Sequence, residues 1–215
     1  MGEIRSKEAI SLYEAMRVGA MANVVAGTIH ADSPYGIFDR VVNDLGVPTT
    51  SFKATDIAVT VTKVRSPSGL NELRRVVDIS EVRKHWTHDP LKEQGFFRLM
   101  EYDAKKDTLV PTNQLLEGES EVIKDIASRV KDWVGNWDRI WENIILRART
   151  KKLLVDYSEK INNNDILESD FTVVANDQFH RIMDDVKKEI GYPEPKEVLR
   201  DYELWLKSKV KTMKK

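Results

Sequence analysis

The 215 residues carry 34 lysines and arginines against 35 aspartates and glutamates, a formal net charge of −1, and no cysteine. Near-neutrality removes the broad field of a nucleic-acid or membrane-surface binder, and the missing thiols exclude a disulfide framework and thiolate catalysis. No apolar run approaches the ~20 residues that span a bilayer and the charged start lacks a signal-peptide core, so a cytoplasmic chain of one medium or two small domains is expected, meeting a membrane only through partners.

The first helix follows Ser6, a plausible N-cap, with Glu8 in its first turn. Ile10, Tyr13 and Met16 recur at helical spacing and Gly19 can close it. The run "NVVAGTIHA" is short, apolar and rich in β-branched residues, which predicts a strand buried on both faces. "DSP" turns, Pro34 opens a helix carrying Phe38, Val41, Val42 and Leu45, and Gly46 and Pro48 stop it. The alternation changes at "DIAVTVTKVR", which sets Ile57, Val59 and Val61 on one face. After the turn "SPSG" comes "LNELRRVVDISEV", and the two runs predict a β-hairpin with one face partly wet. A polar loop "RKHWTHDPLKEQG" leads to a second hairpin in "FFRLMEYDAKKDTLVPTN". From about Gly118 the period is helical to the end, broken at Gly135–Asn136 and at the three asparagines 162–164. Phe179, Ile182, Met183 and Val186 mark one late helix, and "YPEP" starts another carrying Leu199, Tyr202, Trp205 and Leu206.

Spacing alone assembles no catalytic set. The chain has no G-x-x-x-x-G-K-[ST], no G-x-S-x-G and no H-E-x-x-H. His85 and His88 are three apart, but with no cysteine or acidic cluster beside them a polar loop accounts for them better than a metal site. Glu3 and Arg5 precede a helix, and His30 closes the next candidate strand, so all would sit at one edge of a parallel sheet, where ligands bind. The plain alternatives are a charged terminus and a satisfied core histidine. Trp133, Trp137 and Trp141 fall four apart on one helical face, which predicts a core stripe, with a docking surface as the lesser reading.

Three blocks, "GEIRSKEAISLYEAMRVG", "VVAGTIHADSP" and "FDRVVNDLGVP", resemble in order, spacing and identity the back half of the secretion ATPases. These are the hexameric motors of type II and type IV secretion, type IV pilus assembly and the archaeal flagellum. "DIAVTVTKVRSPSGLNELRRVVDISEV" resembles the family's next element, a hairpin with a basic "RRV", and extends the likeness to about Val82. The remainder is similar only to the variable helical tail of archaeal members.

The resemblance implies an α/β fold, a partial RecA-like P-loop NTPase core lacking its Walker A half, followed by β-hairpins and an all-α C-terminal region. Domains are expected at 1–82, 83–117 and 118–215. It further implies that Glu3, matching the Walker B glutamate, polarises the attacking water and assists at magnesium, and that Arg5 holds that glutamate or a neighbouring subunit. Thr28 and His30 match the histidine box and would sense the γ-phosphate or position the water. Arg17 and Arg40 fall in the same blocks, nucleotide-proximal or intersubunit, without individual roles. Phosphoryl transfer depends on positioning and charge stabilisation more than on covalent partners, so such a set suits it. The implied cofactors are Mg and ATP in the intact ATPase, with none expected bound to this part alone. The implied partners are the N-terminal half of the ATPase, other copies in a hexameric ring and a membrane platform protein, with no nucleic acid. The family's phosphate loop precedes the glutamate at which this sequence starts, so a truncated or split ATPase is expected, inactive alone and with an unpaired strand edge that recruits other chains. The competing readings are a RecA-like DNA-handling ATPase fragment and a non-enzymatic helical module docking a platform protein.

Overall fold

The computed structural model describes residues 2–3, 8–19, 24–66 and 68–213, of which 2, 3, 212 and 213 by backbone only. Ser6 and its expected cap lie outside them. The fold is mixed α and β and divides into two compact units, Met1–Arg129 and Val130–Lys215. The division falls later in the chain than the helical region expected from residue 118.

The first unit begins with β1 (Gly2–Glu3), α1 (Glu8–Arg17) and β2 (Gly27–Thr28). β1 and β2 pair in parallel, Gly2 with Gly27 and Glu3 with Thr28. The expected strand buried on both faces is corrected here. Among the described residues of "NVVAGTIHA" only Gly27 and Thr28 are in strand, both are exposed, and Val24 is 98% exposed. Among the described residues this ladder is two residues long and two strands wide, too small for either strand to be a central one. The helix at Pro34 forms as expected. α2 (Pro34–Asp39) is capped by Ser33, whose hydroxyl accepts the Gly36 N–H at 3.0 Å, and runs into a π-helical turn, Arg40–Asp44. α3 (Thr49–Phe52) follows.

β3 (Ile57–Arg65), β4 (Glu72–Val82), β5 (Phe96–Asp103) and β6 (Thr108–Pro111) form an antiparallel meander in that order, which realises both expected hairpins. Ile57, Val59 and Val61 do share a face, but it is the exposed one, and Ala58 and Thr60 are buried. Ile57, Val59 and Val61 border a cavity shared with Leu12 and Met16 of α1.

The core of this unit gathers Ala9 and Tyr13 of α1, Phe38, Val41, Val47 and Phe52, and Val82 and Trp86. Trp86 comes from the segment read as a polar loop, yet it is fully buried, edge-on to Phe38 at 5.6 Å. The loop closes tightly around it. A Cβ at Gly95 would lie 2.6 Å from Trp86 Cδ1 and 2.9 Å from Pro90 Cα, so only glycine fits.

Glu93 ties the same loop together. Its carboxylate accepts the backbone N–H groups of Thr87 (2.9 Å), His88 (2.8 Å) and Asp89 (2.9 Å) and the Thr87 hydroxyl (3.1 Å). The Thr87 N–H first, then those of Asp89 and His88, hold the carboxyl down at about 2, against an ordinary value of 4.5. A carboxyl depressed on folding stabilises the fold fully above its ordinary value and loses that contribution as pH falls towards the folded one. The melting temperature of the wild type should therefore exceed that of Glu93→Gln at neutral pH, with the gap closing between pH 4.5 and about 2. Melts at stepped pH, followed by tryptophan fluorescence, check this; a gap of the same size at both ends would mean that lost packing, not charge, is responsible.

α4 (Asn113–Leu116) and α5 (Glu121–Ser128) complete the unit. Thr112 and Ser120 cap them, accepting the N–H groups of Leu115 and Ile123. The fully buried Glu81 of β4 accepts the Ser120 hydroxyl at 2.6 Å and the N–H groups of Glu121 and Val122, so a carboxylate faces the positive end of α5.

The second unit is helical, with α6 (Trp137–Ile161), a 3₁₀ turn at Asn164–Leu167, α7 (Ser169–Ile190) and α8 (Pro195–Met213). Both expected breaks occur. Gly135 has φ +70°, Asn136 caps α6, and Asn162 ends it in the left-handed conformation. The core is Leu146, Leu154, Phe179, Ile182, Tyr202 and Leu206 with their neighbours. The tryptophan stripe is corrected: Trp133 lies before α6, in the turn that Gly135 makes, so it cannot share a helical face. Trp137 and Trp141 stack on each other at 6.4 Å, half-buried and outside the apolar cluster, whereas Trp205 packs against it. Among the described residues no helix is long and apolar enough to cross a membrane.

Candidate functional site

The parallel pairing of β1 with β2 fixes which of the expected site residues are neighbours. Glu3 stands opposite Thr28 in register, and His30 lies two positions further along the same segment. Arg5 lies outside the described residues.

Past the end of β2, Thr28, Ile29 and His30 border an open cavity of about 530 Å³, closed on its other side by Thr62, Lys63 and Arg74 of the first hairpin. Thr28 and His30 are both exposed. No carboxylate lines this cavity among the described residues. Lys63 and Arg74 are direct cross-strand partners, an arrangement of like charges that is unfavourable on its own. Lys63 is partly neutralised by Glu72 at 2.7 Å. Arg75, next to Arg74, is turned to other use: its guanidinium makes two 2.7 Å bonds to Asp107, which also accepts the Tyr102 hydroxyl. Arg75 first and Tyr102 second hold the Asp107 carboxyl far below the usual carboxylate range. Of the pair in "RRV", then, Arg74 is the one left facing the cavity. A concave site with a hydroxyl, an imidazole, an ammonium and a guanidinium is suited to phosphate or another multivalent anion.

Arg17 and Arg40 do not line this cavity. Arg17 bonds the Glu14 carboxylate at 3.0 Å one turn back. Glu14 also accepts the Ser51 hydroxyl in a short bond, and Ser51 first, then Arg17, pull its carboxyl below the ordinary value. Arg40 pairs with Asp44 at 3.4 Å along its own turn. Both arginines thus have local partners that fasten helices. His85 and His88 are loop residues, His85 Nε2 lying 2.8 Å from the Glu93 carbonyl and His88 Nδ1 2.8 Å from the Thr87 hydroxyl. Among the described residues no group of three or more His, Asp or Glu could hold a metal ion. Sequence reasoning missed Lys63 and passed over Arg74 as part of a basic hairpin. The available signal was the "SPSG" turn, which folds the two basic stretches onto each other. No model of a known protein family matches this chain, and no curated protein matches it closely.

Proposed function

We propose that this chain supplies part of a nucleotide-phosphate site, as the C-terminal part of a secretion-type ATPase core followed by a helical C-terminal unit. The observation that carries the reading is the anion-suited cavity at the end of the parallel β1–β2 pair, with Thr28, His30, Lys63 and Arg74 around it and Glu3 opposite Thr28 in register. The cationic groups and the hydroxyl fit phosphate oxygens. Thr28 and Arg74 would bind them, His30 would orient the terminal phosphate or its attacking water, and Lys63 would add charge. Magnesium supplies charge neutralisation between phosphates when bound; the described residues offer no ligand set for it, and no role here depends on it. No phosphate-wrapping loop occurs in the 215 residues, so the backbone amides that hold a β-phosphate would come from another segment. Hexameric copies and a membrane platform protein are the partners that go with this reading.

Tripolyphosphate titrated calorimetrically into the full chain at low ionic strength tests it. Weak binding is expected, lost at least tenfold in Arg74→Ala and in His30→Ala, each variant being folded by circular dichroism. Hydrolysis of Mg-ATP by the chain alone is not expected. No heat with tripolyphosphate, or unchanged affinity in both variants, would overturn the assignment of the cavity.

A further inference from the structure

The helical unit holds a second cavity, of about 350 Å³, between α6, the 3₁₀ turn, α7 and α8. Its walls are apolar, formed by Leu154, Leu167 and Phe179 among others. The charge on its lining is one-sided: Arg147 and Lys151 are cations and no carboxylate lines it. Most cations in this unit that sit near a carboxylate use it, as Lys152 uses Asp156 and Lys207 uses Glu203. Arg147 and Lys151 have no ion pair among the described residues.

Arg147 is the more telling of the two because it is partly buried. Its Nε donates to Asn143 Oδ1 at 2.8 Å, its guanidinium carbon lies 5.2 Å from the centre of the Phe179 ring, and its terminal nitrogens have no hydrogen-bond partner among the described residues. Burial alone pushes this guanidinium below its ordinary value, with no acid to offset it. Tyr202, also on the lining, is 2% exposed, and its hydroxyl has no hydrogen-bond partner among the described residues. Burial raises that phenol to about 12, so it remains a neutral donor at physiological pH. A partly buried cation and a phenol hydroxyl on one apolar lining, neither with an acceptor at these donors among the described residues, leave hydrogen-bond donors available to a ligand.

We infer that this cavity binds a small organic anion, an anionic head such as a carboxylate carried on an apolar body, with the head at Arg147 and Tyr202 and the body against Leu154, Leu167 and Phe179. Lys151 adds attraction at the rim, and the volume falls in the range of small-ligand pockets, with room for about ten heavy atoms. The phosphate reading of the first unit plays no part in this inference.

Calorimetric titration of the full chain with octanoate, 1-octanol and octylammonium tests the inference. The three share one apolar chain and differ in head charge. Octanoate should bind at least tenfold tighter than octanol, as one charge-assisted hydrogen bond implies, and octylammonium weakest. Arg147→Met, which keeps most of the side-chain volume, should reduce octanoate to the level of octanol. Tyr202→Phe should weaken octanoate roughly three- to tenfold. Each variant is checked by circular dichroism; if Arg147→Met does not fold, Tyr202→Phe and the wild-type preference decide. Equal affinity for octanoate and octanol, binding of neither, or octanoate affinity unchanged in every folded variant would overturn the inference. So would capture of an acidic apolar peptide without any binding of octanoate.

Discussion

Trp86→Ala is expected to cost the first unit about 3–5 kcal/mol, the usual range for truncating a buried tryptophan. Trp86 is 0% exposed. Phe38 meets its ring edge-on at 5.6 Å, and Phe38 in turn meets Phe52 at 5.2 Å, so one truncation opens a void in a connected aromatic cluster. The Lys53 ammonium lies 4.5 Å from the ring centre and donates to the carbonyls of Lys84 and Trp86, so truncation also removes the aromatic face over which Lys53 is held. Against a typical stability of about 5–15 kcal/mol the loss is a large share, on the order of 10–20 °C in melting temperature. Trp86→Phe should cost less than half as much. The indole N–H is buried with no partner, and its desolvation penalty leaves with the ring. Urea unfolding of the three proteins gives the comparison. A loss under about 1 kcal/mol for the alanine variant would mean that the loop is not part of the core.

Glu81→Gln is the second large effect, about 3 kcal/mol, at the low end of what breaking a buried ion pair costs. The carboxylate accepts three donors from the start of α5: the Ser120 hydroxyl and the N–H groups of Glu121 and Val122. It also faces Arg83 Nε at 3.2 Å. An amide keeps one acceptor oxygen and turns the other position into a donor, which then opposes an N–H or O–H that has lost its acceptor. Arg83 retains Glu121 at 2.7 Å, a partner that is itself more than half exposed and so a weaker one. Amide hydrogen exchange should localise the damage, accelerating most at Glu121, Val122 and Ile123. Unaltered exchange there, with stability within about 1 kcal/mol of wild type, would remove Glu81 as the anchor of α5.

These two residues mark where the sequence stops being legible. The hairpins, α2 and the three long helices follow from period, glycine and proline, and their ends fall near Pro34, Gly135, the asparagine triplet and "YPEP". Alternation also groups Ile57, Val59 and Val61 correctly. It cannot say which face of a strand will be covered, because that depends on elements brought in from elsewhere, and here the face with Ala58 and Thr60 is the buried one. Glu81 reads as a solvated position in "ISEV", since its acceptors' donors lie 39 to 41 residues away. Trp86 reads as part of a polar loop, because no period is visible in "RKHWTHDP". Lys63 and Arg74 pair on the turn side of the bulge at Thr60/Val61, so the turn alone sets their meeting, and the bulge shifts only the pairs beyond it. The edge shared by Glu3 and His30 was legible from their positions at the ends of candidate strands, while the roles that a family resemblance implies for them and for Thr28 stay with the proposal.

The closure of the loop around Trp86 bears on what natural variation this chain can accept. Loops are ordinarily where homologous chains lengthen, shorten and drift. Residues 83–95 should behave otherwise: Gly95 has no room for a methyl group beside Pro90, and Glu93 serves three amides that no neighbouring side chain serves in its place. Substitution at either position carries the penalty of a core substitution despite its address in a connecting segment. Drift is left to the tip between β5 and β6, where Ala104, Lys105 and Lys106 face solvent.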